Sequence, residues 1–315
     1  RAQTASIEKD VCTGNHDGCG IHITRGEIED VSKLGRDAAV HRSCVSAQRE
    51  RNREFYAQNL ARIRVGIFRL SNAIKNVSHE TVGTMLKMSQ YGRVDPGRAW
   101  RSGCLRDNRI FIRGLRDEIG DISVDLMLDG SASRDRRQSL ISSQAYIIAQ
   151  SLTECGIPVR VYSFCSEKNY TIINLFRDYR EWDKNPAIFN YCCSGCNRDG
   201  LAIRTALYMM RDTRYVHKML ILLSDGVPND LYGIPSGRKI RGRYDYIGKR
   251  GDDDAALEVR KGWKAGVSVL CVFTGDEADI DDAKRIYGRG LCRVDSLNRF
   301  SDAVGTMLRN ELENI

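Results

Sequence analysis

The chain has 315 residues, 42% of them hydrophobic, with a net charge of +8 and eleven cysteines. That length holds one large domain or two, and the apolar content supplies a packed core, which excludes a disordered chain. Acidic and basic residues are interspersed with no aromatic-interleaved basic stripe, against a nucleic-acid binder, and no apolar run reaches the length of a membrane span.

An odd, irregularly spaced cysteine set is not a disulfide framework. Cys165 and Cys271 fall inside apolar strands, where a free thiol behaves as a small hydrophobe. A reducing cytoplasm is therefore expected, with no signal peptide visible and no membrane insertion. The chain opens on Arg1, so a native start further upstream is expected.

In chain order, residues 1–45 read as turn-rich. Cys12, His16, Cys19 and His22 lie close together, either as metal ligands or as buried thiols in a turn, and the Cys-x6-Cys spacing is not a common zinc pattern. Residues 46–78 read as one long helix, with Tyr56, Leu60, Ile63, Ile67, Leu70 and Ile74 along one face. A further element is expected around Thr81 to Met88, then a turn at Tyr91-Gly92-Arg93. Arg93, Arg98, Arg101, Arg106, Arg109, Arg113 and Arg116 follow, either as a cationic surface for an acidic partner or as outward arginines protecting a hairpin edge.

From Ile122 the pattern alternates strand and helix, the signature of a parallel sheet with helical crossovers. Strands are expected at Ile122–Leu128, Val159–Cys165, Tyr170–Phe176 (a hairpin with the strand before it), Met219–Leu223, Val267–Phe273 and Leu291–Val294. Helices are expected at Ser139–Glu154, Asp199–Met210, Asp252–Ala265, Asp279–Tyr287 and Leu297–Leu312. Cys192, Cys193 and Cys196 offer half of a zinc site or local packing. The Gly/Arg/Tyr-rich stretch 226–251 is long for a loop in a compact domain, which marks it as functional or mobile.

The chemistry gathers at three acidic turns. Asp129-Gly130-Ser131-Ala132-Ser133 follows the first strand, Asn197-Arg198-Asp199-Gly200 opens a helix, and Leu223-Ser224-Asp225-Gly226 closes a strand. Carboxylate and hydroxyl oxygens at the carboxyl edge of an open α/β sheet suit Mg²⁺ or Mn²⁺ rather than zinc. No phosphate-binding Gly-x-x-x-x-Gly-Lys loop, Ser-His-Asp arrangement or nucleophile elbow is present, so no catalytic residue is assigned.

These turns resemble the metal-ion-dependent adhesion site of a von Willebrand factor A domain. With Tyr91-Gly92-Arg93-Val94-Asp95, Ala99-Trp100-Arg101 and Arg109-Ile110-Phe111 they are similar to the NorD-type nitric oxide reductase activation proteins and the CobT-type cobalt chelatase subunits, over roughly residues 46 to 315. The resemblance implies an α/β fold: a Rossmann-like, open, mostly parallel sheet flanked by helices over 121–315, preceded by a smaller helical region over 1–120. It implies Mg²⁺ or Mn²⁺ on Asp129, Ser131, Ser133, Asp199 and Asp225, with Asp225 acting through water and Asp199 standing where many A domains have threonine. It implies a non-catalytic adaptor between a MoxR-type AAA+ ATPase and a client metalloenzyme, the alternatives being a tetrapyrrole chelatase subunit or a stand-alone Mg²⁺-dependent protein-binding module. Three ionised aspartates around one divalent ion leave a formal charge of about −1. A partly structural role, or an offset from Arg134, Arg198 or Arg204, is therefore expected.

Overall fold

The computed structural model describes residues 2–26, 35–84, 86–89, 93–94, 101–102, 111–114, 122–232, 246–294 and 296–313. Its centre is β5 (Ile122–Asp129), a strand buried at every position. On one side it pairs in parallel with β6 (Val159–Glu167) and on the other with β8 (His217–Ser224). Beyond β8 come β11 (Val267–Phe273) and β12 (Leu291–Arg293), both parallel. Beyond β6 the chain turns back into β7 (Tyr170–Arg177), the expected antiparallel hairpin. The mostly apolar character of β5, β8 and β11 is what a strand buried on both faces requires.

Alternation along β5 divides the core. Val124, Leu126 and Leu128 face the layer formed by α3 (Leu60–Thr84), α4 (Gln138–Glu154) and α8 (Leu297–Glu313). Met127 faces α5 (Asp199–Arg211), α6 (Lys249–Lys264) and α7 (Ile280–Tyr287). Each fully buried aliphatic side chain here contributes about 1.5–3 kcal/mol. Gly156, at φ +72°, ends α4 in the left-handed conformation that closes a helix. Among the described residues no helix is long and apolar enough to cross a membrane.

Three features differ from expectation. The helix expected over 46–78 is two, α2 (Arg36–Gln58) and α3, broken at Asn59. The Asn59 backbone leaves helical geometry at φ −107°, ψ 13°, and its side-chain amide donates to Phe55 O at 2.9 Å. Such a local side-chain bond competes with helix continuation. The expected apolar face survives the break, with Ile63, Ile67, Leu70 and Ile74 buried.

Residues 1–26 are more than turns. α1 (Ala2–Val11) packs on α5, and β1 (Gly20–Thr24) joins β7 in parallel as a seventh strand. The sheet therefore runs β1-β7-β6-β5-β8-β11-β12. β1 thus extends that sheet, and Ile63, Ile67, Leu70 and Ile74 of α3 join its core.

A small antiparallel sheet, β2 (Leu86–Ser89), β4 (Phe111–Gly114) and β3 (Arg93–Val94), holds Arg93 and Arg113. Tyr91, Gly92, Arg98, Arg106, Arg109 and Arg116 lie outside the described residues. So does 233–245 of the long connection, whose ends pair as β9 (Asn229–Asp230) and β10 (Tyr246–Ile247). α6 starts at Lys249, three residues before the expected Asp252.

Candidate metal centre

The first turn hangs from the end of β5. Its glycine is required by space, since a Cβ at Gly130 would sit 2.9 Å from Phe164 O. Asp129 is fully buried. One carboxylate oxygen accepts from Ser131 N (2.9 Å), the other from Ser224 Oγ (3.3 Å), and Tyr191 donates its hydroxyl to the Asp129 carbonyl. Ser131 and Ser133 hydroxyls lie 2.9 Å apart, and Ser133 Oγ donates to Asp225 Oδ2 at 3.0 Å. Asp129, Ser131, Ser133 and Asp225 are thus one connected cluster at the carboxyl ends of β5 and β8.

Asp199 enters from the third side, as the first residue of α5, where a helix N-terminus favours a carboxylate. It is fully buried; one oxygen accepts from Asn197 Nδ2 (3.1 Å) and the other, Oδ1, has no partner. Burial, then the Asp129 and Asp225 charges, pushes Asp199 well above the usual carboxylate range. Burial and the Asp225 charge push Asp129 up to about 7. The pocket holds more negative charge than its own donors neutralise, and a buried polar atom without a partner is costly.

The donor set fits a hard divalent cation: carboxylate and hydroxyl oxygens only, one of them buried and unpartnered. The three carboxylates do not crowd one point. Among the described residues the group of His, Cys, Asp or Glu ligand atoms all within 4.8 Å is His16, Asp254 and Glu258, elsewhere in the molecule. The Ser131 and Ser133 hydroxyls link the first turn to Asp225.

Of the three arginines expected to offset the charge, Arg134 does so. Its guanidinium lies 2.5 Å from Asp225 Oδ2 and donates to Ser133 Oγ (3.2 Å) and Thr274 O (3.0 Å). Arg198 and Arg204 turn away. Arg198 pairs with Asp230 (3.0 Å), stacks over the Tyr246 ring (4.5 Å) and donates to Asn15 O (2.7 Å). Arg204 pairs with Glu258 (2.7 Å) and donates to Val11 O and Thr13 O, both 2.8 Å. Both clamp the N-terminal segment onto α5. Asn197, Ser224 and Tyr191 support the site without any spacing signal of their own; only their neighbours in the motif point to them.

The cysteine and histidine candidates form no zinc centre. Cys12 and Cys19 pack beside Ile7, Val11, Ile21 and Leu201, while His22 is exposed on β1. Cys193 Sγ donates to Tyr191 Oη (3.2 Å) and Cys192 Sγ to the Cys193 carbonyl (3.8 Å), which is local packing. Buried His16 does meet Asp254, at 3.4 Å from Nε2. Its Nδ1, however, accepts from Arg198 Nε at 3.1 Å, which places the proton of the neutral ring on Nε2. Burial and the Arg204 and Arg198 charges push its pKa down to about 2, so the ring stays neutral. At 3.4 Å from Asp254, Nε2 makes no hydrogen bond. The ring is held through Arg198, while the nearby Asp254 accepts from Tyr246 Oη and Glu258 pairs with Arg204.

Counted from β5, the strands beyond β1 run in the doubly wound order 3-2-1-4-5-6 with the third reversed, and the site lies outside the carboxyl ends where that order switches. With an Asp-x-Ser-x-Ser turn after the first strand and Asp225 after the fourth, this is the open, mostly parallel α/β sheet flanked by helices that the resemblance to von Willebrand factor A domains implies. No protein-family model matches the chain. The uncharacterized protein YojO of Bacillus subtilis (strain 168) is 23% identical over 206 residues, which is 61% of this chain and 30% of YojO. The chain thus spans under a third of that relative's length. Similar solved structures include the vWF domain of the type V pili tip protein Mfa5 from Porphyromonas gingivalis, 11% identical with a TM-score of 0.47, covering 61% of this chain and 95% of that one. Another is the PilB minor pilin from Streptococcus sanguinis, at 14%, TM-score 0.47 and 64% of each chain. BatB from Bacteroides thetaiotaomicron matches at 15%, TM-score 0.41, covering 62% of this chain and all of that one (100%).

Proposed function

We propose that this chain is a metal-dependent, non-catalytic protein-interaction module, in which Asp129, Ser131, Ser133, Asp199 and Asp225 hold Mg²⁺ or Mn²⁺. The observation that carries the reading is the buried, unpartnered Asp199 Oδ1 in an all-oxygen donor set. When bound, the ion would supply an exchangeable position for an oxygen of a partner, since Mg²⁺ keeps several such positions. Arg134 neutralises Asp225 at the rim and removes the repulsion an incoming carboxylate would meet.

The finer reading is that of an adaptor between a MoxR-type AAA+ ATPase and a client metalloenzyme, as in the NorD and CobT proteins its motifs resemble, working in the cytoplasm. The ten cysteines described as free support a reducing compartment. The test is a pull-down against the MoxR-type ATPase of the same organism, run in Mg²⁺, in EDTA and with Asp129→Ala. Capture lost in both EDTA and the variant places the metal turn at the ATPase contact. Capture unaffected by either leaves the metal for the client. Absence of capture throughout rejects the adaptor role in favour of a stand-alone binding module.

A further inference from the structure

A cleft of about 490 Å³ opens between α2 and the ends of β1 and β7. It shares no residue with the metal centre. Among the described residues four cationic side chains line it, Arg25, Arg42, Arg49 and Lys184, and no acidic one does. Glu181 stands outside the lining and bridges Arg25 (3.0 Å) and Lys184 (2.9 Å), so it offsets one of the two charges. Arg42 and Arg49 come from the opposite wall, on α2. The nearby Glu50 points instead to Arg53, at 3.8 Å.

Two polar atoms at this cleft are buried without a partner, Arg49 Nε and Asn174 Oδ1. The first is a donor and the second an acceptor, so a ligand that meets both carries an anionic oxygen and a donor hydrogen. In the same segment Arg177 is fully buried with its Nε and Nη2 also unpartnered, which adds positive potential behind the wall. Like charges gathered along a concave surface raise the local positive potential, and such clefts attract an anion. The volume is that of a small-molecule site rather than a flat macromolecular contact.

We propose that this cleft binds a small phosphorylated, hydroxyl-bearing molecule. Arg42, Arg49 and Lys184 take the phosphoryl oxygens and a ligand hydroxyl donates to Asn174 Oδ1. A guanidinium matches the spacing of two phosphoryl oxygens and donates to both, and two of them with a lysine neutralise a dianion or more. The site is independent of the metal-dependent reading above.

Isothermal titration of the full chain with fructose 1,6-bisphosphate, pyrophosphate and citrate tests it. The bisphosphate should saturate one site, and pyrophosphate, which lacks hydroxyls, should bind more weakly. Affinity for the bisphosphate should fall at least about tenfold, some 1.4 kcal/mol, in the Arg42→Gln/Arg49→Gln double variant and again in Asn174→Asp, which places an acid in the cleft without changing its shape. Arg53→Gln, on the same helix but paired with Glu50, should leave affinity unchanged. Thermal unfolding of each variant establishes that the fold is intact. Citrate binding as tightly as the bisphosphate, or an equal loss in Arg53→Gln, would overturn the proposal by reducing it to general anion attraction. The acidic run Glu27, Glu29 and Asp30 follows Gly26 in the sequence. Saturation seen only after neutralising that run (Glu27→Gln, Glu29→Gln, Asp30→Asn) would also overturn it, by assigning the counter-charge to the chain itself. So would no saturation in any form.

Discussion

Asp199 combines full burial with an oxygen that lacks any donor, and this sets two opposite expectations for one substitution. Asp199→Asn removes a charge that repels Asp129 and Asp225, so the metal-free protein should unfold at a higher temperature. The same change removes a ligand, so the thermal shift produced by saturating Mg²⁺ or Mn²⁺ should shrink, and affinity measured by calorimetry should fall about tenfold or more. A larger metal-induced shift in the variant would remove Asp199 from the site. Asp125, in mid-strand, is a carboxylate of a different kind. It accepts from Tyr162 Oη (3.0 Å) and Tyr179 and faces Arg160 at 3.6 Å, yet burial outweighs these partners and raises its pKa to about 6. The folded state therefore holds its proton more tightly than the unfolded chain. Stability from this group is present below the unfolded pKa near 4 and is lost as pH rises through about 6. Relative to wild type, Asp125→Asn should gain on the order of 2–3 kcal/mol between pH 4 and pH 8 in urea unfolding, since two pKa units correspond to that much. A difference that does not change with pH would show Asp125 ionised throughout. The motif residues were legible because Asp-x-Ser-x-Ser needs only a strand end to act. Arg134 as the counter-charge was legible only as one of three, because the sequence shows adjacency to the turn but not the direction of a guanidinium.

At the scale of elements, α3 lies with one stripe in the core and the other side outward. Leu70 is fully buried between α4 and α8, whereas Phe68 on the same helix is 67% exposed. Leu70→Ala should cost about 2–5 kcal/mol through lost burial and the cavity left behind. Phe68→Ala should stay within about 0.5 kcal/mol. Chemical denaturation of both variants checks the pair, and equal costs would mean that Phe68 is covered in solution. Strand β11 has the expected bounds, β5 runs one residue further to Asp129, and β8 extends past its apolar run to His217 and Ser224, because backbone pairing continues through polar ends. The hairpin of β6 and β7 extends one or two residues beyond its apolar stretch, since backbone pairing continues through Ser166 and Glu167. β1 was invisible for a physical reason. Gly20 to Thr24 is short and alternating, and its buried apolar residue, Ile21, packs against Ile7 and Val11 of neighbouring α1 and against Leu201 of α5, which comes from a distant part of the chain. Asn59 looked like any polar position on a helix surface; its capping bond to Phe55 O is a matter of rotamer, which spacing does not encode.

For the whole molecule, β1 covers the edge that β7 would otherwise present. β7 offers Thr171, Ile173 and Leu175 along one face and a row of backbone groups to any strand that can reach them. Deleting residues 1–24 should leave a protein that self-associates, seen as a concentration-dependent rise in light scattering, because an uncovered edge of that length templates further pairing. A monodisperse deletion variant would show that β7 protects itself. The pairing of β1 with β7 also has a temporal side. The Asn169 amide that closes onto Gly18 O belongs to a residue 151 positions later in the chain. At a synthesis rate of about 5–20 residues per second, β1 leaves the ribosome roughly 8–30 s before its partner strand exists. During that interval its apolar residues have only local company, so this nascent stretch is one a chaperone would be expected to hold until β7 has been made.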